Sequence, residues 1–309
     1  MRLAFALVVL LLSLSPLSAE PVRFAVMGDL PYRDGHMERF DRLIERINQE
    51  GPAFSIHVGD IKGGGTPCSD HAFQAIHDRF MAFDGALFYT PGDNEWTDCH
   101  RRAAGSHDPL ERLARLRSLF FTAARSLGRS PMTYRRQADE GEHRQMVENA
   151  IWTAGDVLFA TVHVVGSNNG FERTAASKAE WELRESANKD WIKAAFSAAN
   201  SGGFGAVVVA IHANPAFESK KARKSSSSGF KRTLKALAKR SGKFDGPVLI
   251  VHGDHHRLII DRPLIDKDGD PVPNVTRLQV MGDHDVGAVF VTVDPAAEEP
   301  FRFEPVVMD

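Results

Sequence analysis

RFAVMGD (23–29), FSIHVGD (54–60), ALFYTPGD (86–93), VLIVHGD (248–254) and LQVMGD (278–283) each run a short β-rich apolar stretch into a Gly-Asp pair. Stretches of this length and composition read as strands. The glycine lets the backbone turn sharply, which leaves the aspartate at the carboxyl edge of the sheet. In open α/β sheets that edge is where ligands bind. Two of the pairs continue into histidine, giving GDHH at 253–256 and GDHD at 282–285. Carboxylates converging on one edge repel one another unless cations lie between them. The pattern therefore points to a metal centre on an α/β scaffold.

The rest of the chain alternates. Strands at 22–28, 54–58 and 86–90 are separated by helices at 36–49 and 70–83, the first with Phe40, Leu43, Ile44 and Ile47 on one face. A segment at 97–147, with one helix at 108–126 and a basic loop, reads as an insertion. There follow a hairpin turning at Ala154-Gly155-Asp156, a helix at 177–199, a strand at 206–212, a helix at 229–240, a strand at 247–252 and a final strand pair at 276–294. Alternation of this kind predicts a layered α/β domain, and the hairpins predict mixed rather than purely parallel sheets. No linker divides the chain, so residues 20–309 read as a single domain.

With 43% hydrophobic residues, 25% charged residues and a formal net charge of −2, the composition is globular and gives no sign of nucleic-acid recognition. Residues 1–19, MRLAFALVVLLLSLSPLSA, have the form of a secretory signal peptide: an early Arg2, an apolar run, then small residues. The run is short for a bilayer span of about 20 residues, and no later stretch is apolar for long enough. The expectation is a periplasmic or secreted protein with no membrane span after cleavage. Cys68 and Cys99 lie in loops just after Gly-Asp pairs, where a disulfide would staple two site loops; two free or buried thiols are the alternative.

The chemistry-bearing motifs, in order, are GDLPYRD (28–34), GDIKGGG (59–65), PGDNEW (91–96), AIHANP (210–215) and HGDHH (252–256). A lone Gly-Asp after a strand is ordinarily a turn or a helix cap. As a set, these motifs resemble the calcineurin-like metallophosphoesterase superfamily, relatives of which include the purple acid phosphatases. That family's pattern runs Asp-x-His, Gly-Asp, Gly-Asn-His-Glu or Asp, a strand-end His, then Gly-His-x-His. The resemblance implies an αββα sandwich with mixed sheets and a site for two divalent metal ions at the strand carboxyl edge. It makes Asp29 a ligand of the first ion, Asp60 the bridge, His212 a ligand of the second ion and His256 a ligand of the first.

Three positions depart from the pattern. Pro31 stands where the histidine of Asp-x-His is expected and cannot ligate. Asp93 takes the place of the metal-binding asparagine, with Asn94 at the catalytic histidine. Asp254 takes the place of the first histidine of the last motif; an alternative register would use His252, but the strand VLIVH and Gly253 favour Asp254. The first ion would then have Asp29, Asp60 and His256, with water or Tyr32, and the second Asp60, Asp93, His212 and Asp254.

Such a carboxylate-rich set favours Mn²⁺, Mg²⁺ or Ca²⁺, with zinc or iron also compatible. Four aspartates and two divalent ions sum to about zero charge, so a phosphate needs positive charge from elsewhere. Lys62, Arg33 and Arg257 are near in sequence, and Lys62 is the preferred candidate. Asn94 can hydrogen-bond a phosphoryl oxygen but cannot give a proton as an imidazolium does. The basic stretch 219–243 reads as a solvated helix face and loop, or as a funnel for anions. The resemblance thus implies an exported phosphoesterase that hydrolyses a small phosphate mono- or diester with a hydroxide held between the metals. Pro31 and Asn94 motivate an alternative, a catalytically weakened relative acting as a metal- or ligand-binding envelope protein.

Overall fold

The structure is a computed structural model that describes residues 20–309 apart from Glu172, so the leader read at 1–19 lies outside the described residues. Among the described residues, twelve strands form two sheets. The first contains β1 (Val22–Met27), β2 (Phe54–His57), β3 (Ala86–Tyr89), β11 (Gly287–Val293) and β12 (Phe301–Val307), in the order β12-β11-β1-β2-β3. The second contains β4 (Arg135–Arg136), β5 (Ala150–Ala154), β6 (Val157–Thr161), β7 (Ala206–Ala210), β8 (Val248–His252), β9 (Ile259–Asp261) and β10 (Val275–Gln279), in the order β4-β5-β6-β7-β8-β10-β9. Both sheets are mixed: β1, β2 and β3 run parallel, as do β6, β7, β8 and β10, with antiparallel strands outside them.

Strand alternation divides the apolar residues into three layers. On one face of the first sheet, Ala25, Met27, Leu87 and Tyr89 meet Phe40, Leu43, Phe73, Phe80, Leu116 and Phe120 from the helices Asp34–Glu50, Asp70–Phe80 and Pro109–Phe120. On its other face, Phe24, Val26, Phe54 and Phe88 meet Phe159, Val208, Leu249 and Val251 of the second sheet. The far face of the second sheet is covered by Trp191, Ile192 and Phe196 of the helix Ala175–Gly202 and by Leu234 and Leu237 of Lys231–Ser241. The result is the α/β/β/α sandwich that the sequence resemblance implies.

The expected final strand pair at 276–294 does not form. β10 pairs with β8 and β9 in the second sheet, whereas β11 pairs with β1 and β12 in the first. The Gly-Asp turn between them carries the chain across the shared edge, where Asp283 N–H donates to Asp29 O at 2.8 Å and Val280 N–H to His252 O at 2.8 Å. The helix expected at 108–126 stops at Phe120. Beyond it, Leu127 exchanges two backbone hydrogen bonds of 2.9 Å with Leu87, laying chain along the free edge of β3. The segment 97–147 thus contributes its helix and Phe121 to the first helical layer.

Two residues hold the neighbourhood of the site from below. Phe54 packs against Phe24, Phe88, Trp152 and Phe159 between the sheets, with ring centroids 4.9 to 5.7 Å apart. His57 is fully buried at the end of β2. Its Nε2–H donates to Leu30 O at 3.0 Å, and its Nδ1 accepts from Gly59 N–H at 3.2 Å. Both nitrogens are used by the neutral ring, and burial lowers its pKa from the ordinary 6.5 to about 4.

Phe54→Ala is expected to lower unfolding free energy by about 3–5 kcal/mol, read by urea titration; a loss under about 1 kcal/mol would mean the sheets repack around the gap. His57 titrates lower in the folded state than in the unfolded one. Its contribution is therefore complete above pH 6.5 and is lost as pH falls from 6.5 towards 4. The loss should be on the order of 3 kcal/mol, from about 1.4 kcal/mol per pKa unit. His57→Gln should flatten that limb of a stability–pH curve, and an unchanged slope would remove His57 as its source.

Candidate metal centre

β1, β2 and β3 of the first sheet and β7 and β8 of the second deliver their carboxyl ends to one edge. Asp29, Asp60 and Asp254 all take left-handed backbone conformations there, with φ of 57°, 55° and 77°. Short polar side chains tolerate that region, and such residues concentrate at functional sites. The preceding glycines answer to crowding. A Cβ at Gly92 would lie 2.1 Å from Asp60 Oδ1, and one at Gly253 would lie 2.0 Å from Asp29 Oδ2. Each carboxylate fills the space that its neighbour's glycine leaves open.

His212 stands at the middle, fully buried just beyond β7. Its Nδ1–H donates to Val58 O at 2.8 Å, which fixes the ring. Its Nε2 then faces Asp93 Oδ1 at 3.1 Å, Asp60 Oδ1 at 3.4 Å and Asp254 Oδ1 at 4.0 Å. Two groups of donor atoms result, Asp29/Asp60/His212 and Asp93/His212/Asp254, and within each all atoms lie within 4.8 Å of one another. The structure thus brings together the aspartates at 29, 60, 93 and 254 with His212, and makes that histidine common to both groups.

The electrostatics express the crowding. Burial alone would lower the His212 pKa, but Asp60, Asp93, Asp29 and Asp254 outweigh it and raise it well above the ordinary value. Burial, reinforced by Asp93, Glu95 and Asp29, holds Asp60 well above the ordinary carboxylate range. In Asp93 the burial penalty is outweighed by hydrogen bonds from His212 and Ser167, and its pKa falls. Oxygen and imidazole donors in excess negative charge are the chemistry that divalent ions take up, so the residues fit such ions.

Tyr32 compensates geometrically for Pro31. Its hydroxyl lies 2.8 Å from Asp60 Oδ2, 3.0 Å from His256 Nε2, 3.2 Å from Asn94 Nδ2 and 3.3 Å from Asp29 Oδ1. His256 Nε2 is 3.4 Å from Asp29 Oδ1, so His256 joins the first group at its more exposed side. Burial, together with Asp60 and Asp29, keeps the phenol protonated far above its ordinary pKa. Around this set the loops are pinned. Glu95 Oε1 accepts from Gly92 N–H at 2.6 Å, Tyr89 Oη–H at 2.8 Å and Asp60 N–H at 3.1 Å. Asp254 N–H spans both Asp29 oxygens at 3.0 Å, and Asn214 N–H donates to Asp254 Oδ2 at 2.9 Å. A disulfide joins Cys68 and Cys99, Cα atoms 5.8 Å apart, and ties the loop after Asp60 to the loop after Asp93.

Two sequence candidates for positive charge are placed elsewhere. The Lys62 ammonium is buried and donates to Asn94 O at 2.6 Å and Gly63 O at 3.0 Å, so it braces the site loop from beneath. Arg33 pairs with Asp283 and is more than half exposed. Asn94 does reach the cluster: its Nδ2 donates to Asp60 Oδ2 and Tyr32 Oη. His252 turns into the outer helical layer, with its ring 5.5 Å from Phe217, and so leaves the site to Asp254.

Ser167 and Asp98 were missed in the sequence. Ser167 Oγ–H bonds Asp93 Oδ2 at 2.8 Å and lies 3.0 Å from Asp98 Oδ1. It sits in a left-handed turn with Asn168, φ 50° and 52°; VVGSNNG marks the turn, but nothing in it marks the serine. Asp98 is buried and pairs with Arg101 at 2.6 Å and Arg173 at 3.5 Å.

Comparison with known proteins follows this geometry. The profile of the calcineurin-like phosphoesterase family matches residues 22–258, which include all six candidate ligands. No curated protein matches the sequence. Among solved structures, a dimetal phosphatase from Danio rerio is similar with a TM-score of 0.58 at 10% identity, covering 94% of this chain and 100% of its own. The sulfate thiohydrolase SoxB of Thermus thermophilus, in complex with glycerol, gives 0.47 at 15% identity over 88% of this chain and 43% of its own. Purple acid phosphatase PPD1 from yellow lupin (Lupinus luteus) seeds gives 0.48 at 12% identity over 96% of this chain and 55% of its own. At such identities the likeness is one of fold. The family match carries the assignment: this chain belongs to the calcineurin-like phosphoesterase family of phosphoesterase hydrolases, and the family implies a dinuclear metal centre at this cluster.

Proposed function

We propose that the protein is an exported, metal-dependent hydrolase of small phosphate esters whose leaving groups depart without a proton, that is, activated monoesters or diesters. The observation that carries this reading is the pair of donor groups sharing His212 at one sheet edge. Asp29, Asp60, His256 and Tyr32 would hold one ion, and Asp93, His212 and Asp254 the other, with Asp60 close to both. When bound, the ions polarise a phosphoryl oxygen and lower the pKa of a water. The carboxylate-rich donors favour Mn²⁺, Mg²⁺ or Ca²⁺.

The chain's own residues supply the rest. Val58 O fixes the His212 ring so that only Nε2 faces the cluster. The Asn94 amide sits beside Asp60, placed to donate to a phosphoryl oxygen. An amide carries no transferable proton at neutral pH, so a poor leaving group receives no acid help from this position. Export is supported by the leader-like residues 1–19 and by the Cys68–Cys99 disulfide, since disulfides persist in oxidising compartments. A metal- or ligand-binding role without turnover is the competing reading, favoured by Pro31 and Asn94.

Purified protein is expected to turn over p-nitrophenyl phosphate or its bis-ester in the presence of Mn²⁺. Asp60→Asn should lower kcat/KM about a thousandfold or more, as loss of metal-borne stabilisation requires. Bound ions without turnover across Mn²⁺, Mg²⁺, Ca²⁺, Zn²⁺ and Fe²⁺ would favour the binding role. A fully active Asp60→Asn variant would sink the assignment.

A further inference from the structure

Four aspartates neutralise two divalent ions, and neither Lys62 nor Arg33 faces the cluster with a free cation. Arg101, anchored through one nitrogen by Asp98, turns the other towards Asn94 from the loop after Asp93. Its Nη2 is held by Asp98 Oδ2 at 2.6 Å. Asp98 is only 2% exposed and also carries Arg173, so the anchor is buried while the Arg101 side chain remains 48% exposed. The other nitrogen of the fork, Nη1, comes to the mouth of the site. A Cβ built on Gly64 would lie 2.8 Å from Arg101 Nη1 and 2.8 Å from Asn94 Oδ1. The guanidinium and the Asn94 amide thus face one another across a glycine that puts no side chain between them. Asn94 Nδ2 in turn donates to Asp60 Oδ2. A fixed, half-exposed cation therefore stands one side chain away from Asp60.

We propose that Arg101 binds the phosphoryl group of the substrate and lies against its departing oxygen, supplying the positive charge that Asn94 cannot. This rests on the phosphoesterase reading above. A guanidinium forks onto phosphate oxygens and keeps its protons at any working pH. It therefore stabilises the departing oxygen as an anion and transfers no proton to it. A hydroxide from water would form the new P–O bond as the ester P–O bond breaks, the electron pair stays on the leaving oxygen, and a second water supplies its proton afterwards. The preferred substrates follow: mono- or diesters of acidic alcohols or phenols rather than phosphates of simple alcohols.

The test uses metal-loaded protein and inorganic phosphate as the probe, by titration calorimetry, with metal content and thermal unfolding recorded for each variant. Arg101→Ala should weaken phosphate affinity by roughly ten- to a hundredfold, the range of a lost charge-assisted contact, with metal content unchanged. Arg101→Lys should recover part of the affinity, since it restores the charge but not the fork. Gly64→Ala, in a backbone conformation open to alanine, should reproduce the loss by displacing the guanidinium. Phosphate affinity within twofold of wild type in both Arg101→Ala and Gly64→Ala would overturn the proposal and leave the phosphoesterase reading standing. Wild-type protein that binds phosphate through Arg101 yet turns over no ester would overturn that reading, and with it the contact to a departing oxygen. Wild-type protein that does neither would overturn both.

Discussion

Convergence of four carboxylates on one imidazole governs this protein. His212 Nε2 has Asp93, Asp60 and Asp254 within 4.0 Å, and Asp29 belongs to the same cluster. Like charges at such distances in a buried site are costly unless protons or cations intervene. Much of the surrounding architecture is a response to that cost. At Gly92 and Gly253, which precede Asp93 and Asp254, a neighbouring carboxylate occupies the space a Cβ would need. Backbone N–H groups of Asn94, Asn214 and Asp254 are aimed at carboxylate oxygens. Glu95 ties Gly92, Tyr89 and Asp60 with a single oxygen, so the loops bearing two of the aspartates move as one.

The edge itself was legible because its chemistry is local. A strand that ends in Gly-Asp announces both the turn and the carboxylate within a few residues, and the order of the motifs then carries the family. What stayed hidden depended on partners distant in sequence. β10 and β11 each read as strands, but an apolar run does not state which sheet it joins, and the turn at Asp283 carries the chain from one to the other. Lys62 is two residues from Asp60 in sequence, yet its ammonium turns under the loop to two carbonyls. Ser167 and Asp98 are brought together by a left-handed turn and a short helical segment with no pattern of their own.

The departures from the family pattern form a connected set. Pro31 removes an imidazole, and the Tyr32 hydroxyl reaches the same carboxylates from the next residue. Asp93 and Asp254 stand where that pattern has neutral side chains, and as ligands they would favour harder cations and offset the charge of the ions. Asn94 removes an acid, so transition-state charge has to be met by fixed dipoles and cations rather than by a proton. Arg101, held by the buried Asp98, fits that requirement.

The number of divalent ions that the folded chain binds tests the central claim most directly. Titration of metal-free protein with Mn²⁺, followed by calorimetry and native mass spectrometry, should give two ions per chain, and His212→Ala should weaken the ion held with Asp93 and Asp254, because Nε2 is the one ring nitrogen left free to ligate. Saturation at no ion or at one, or a His212→Ala variant that binds two ions as the wild type does, would contradict a dinuclear centre built around that histidine.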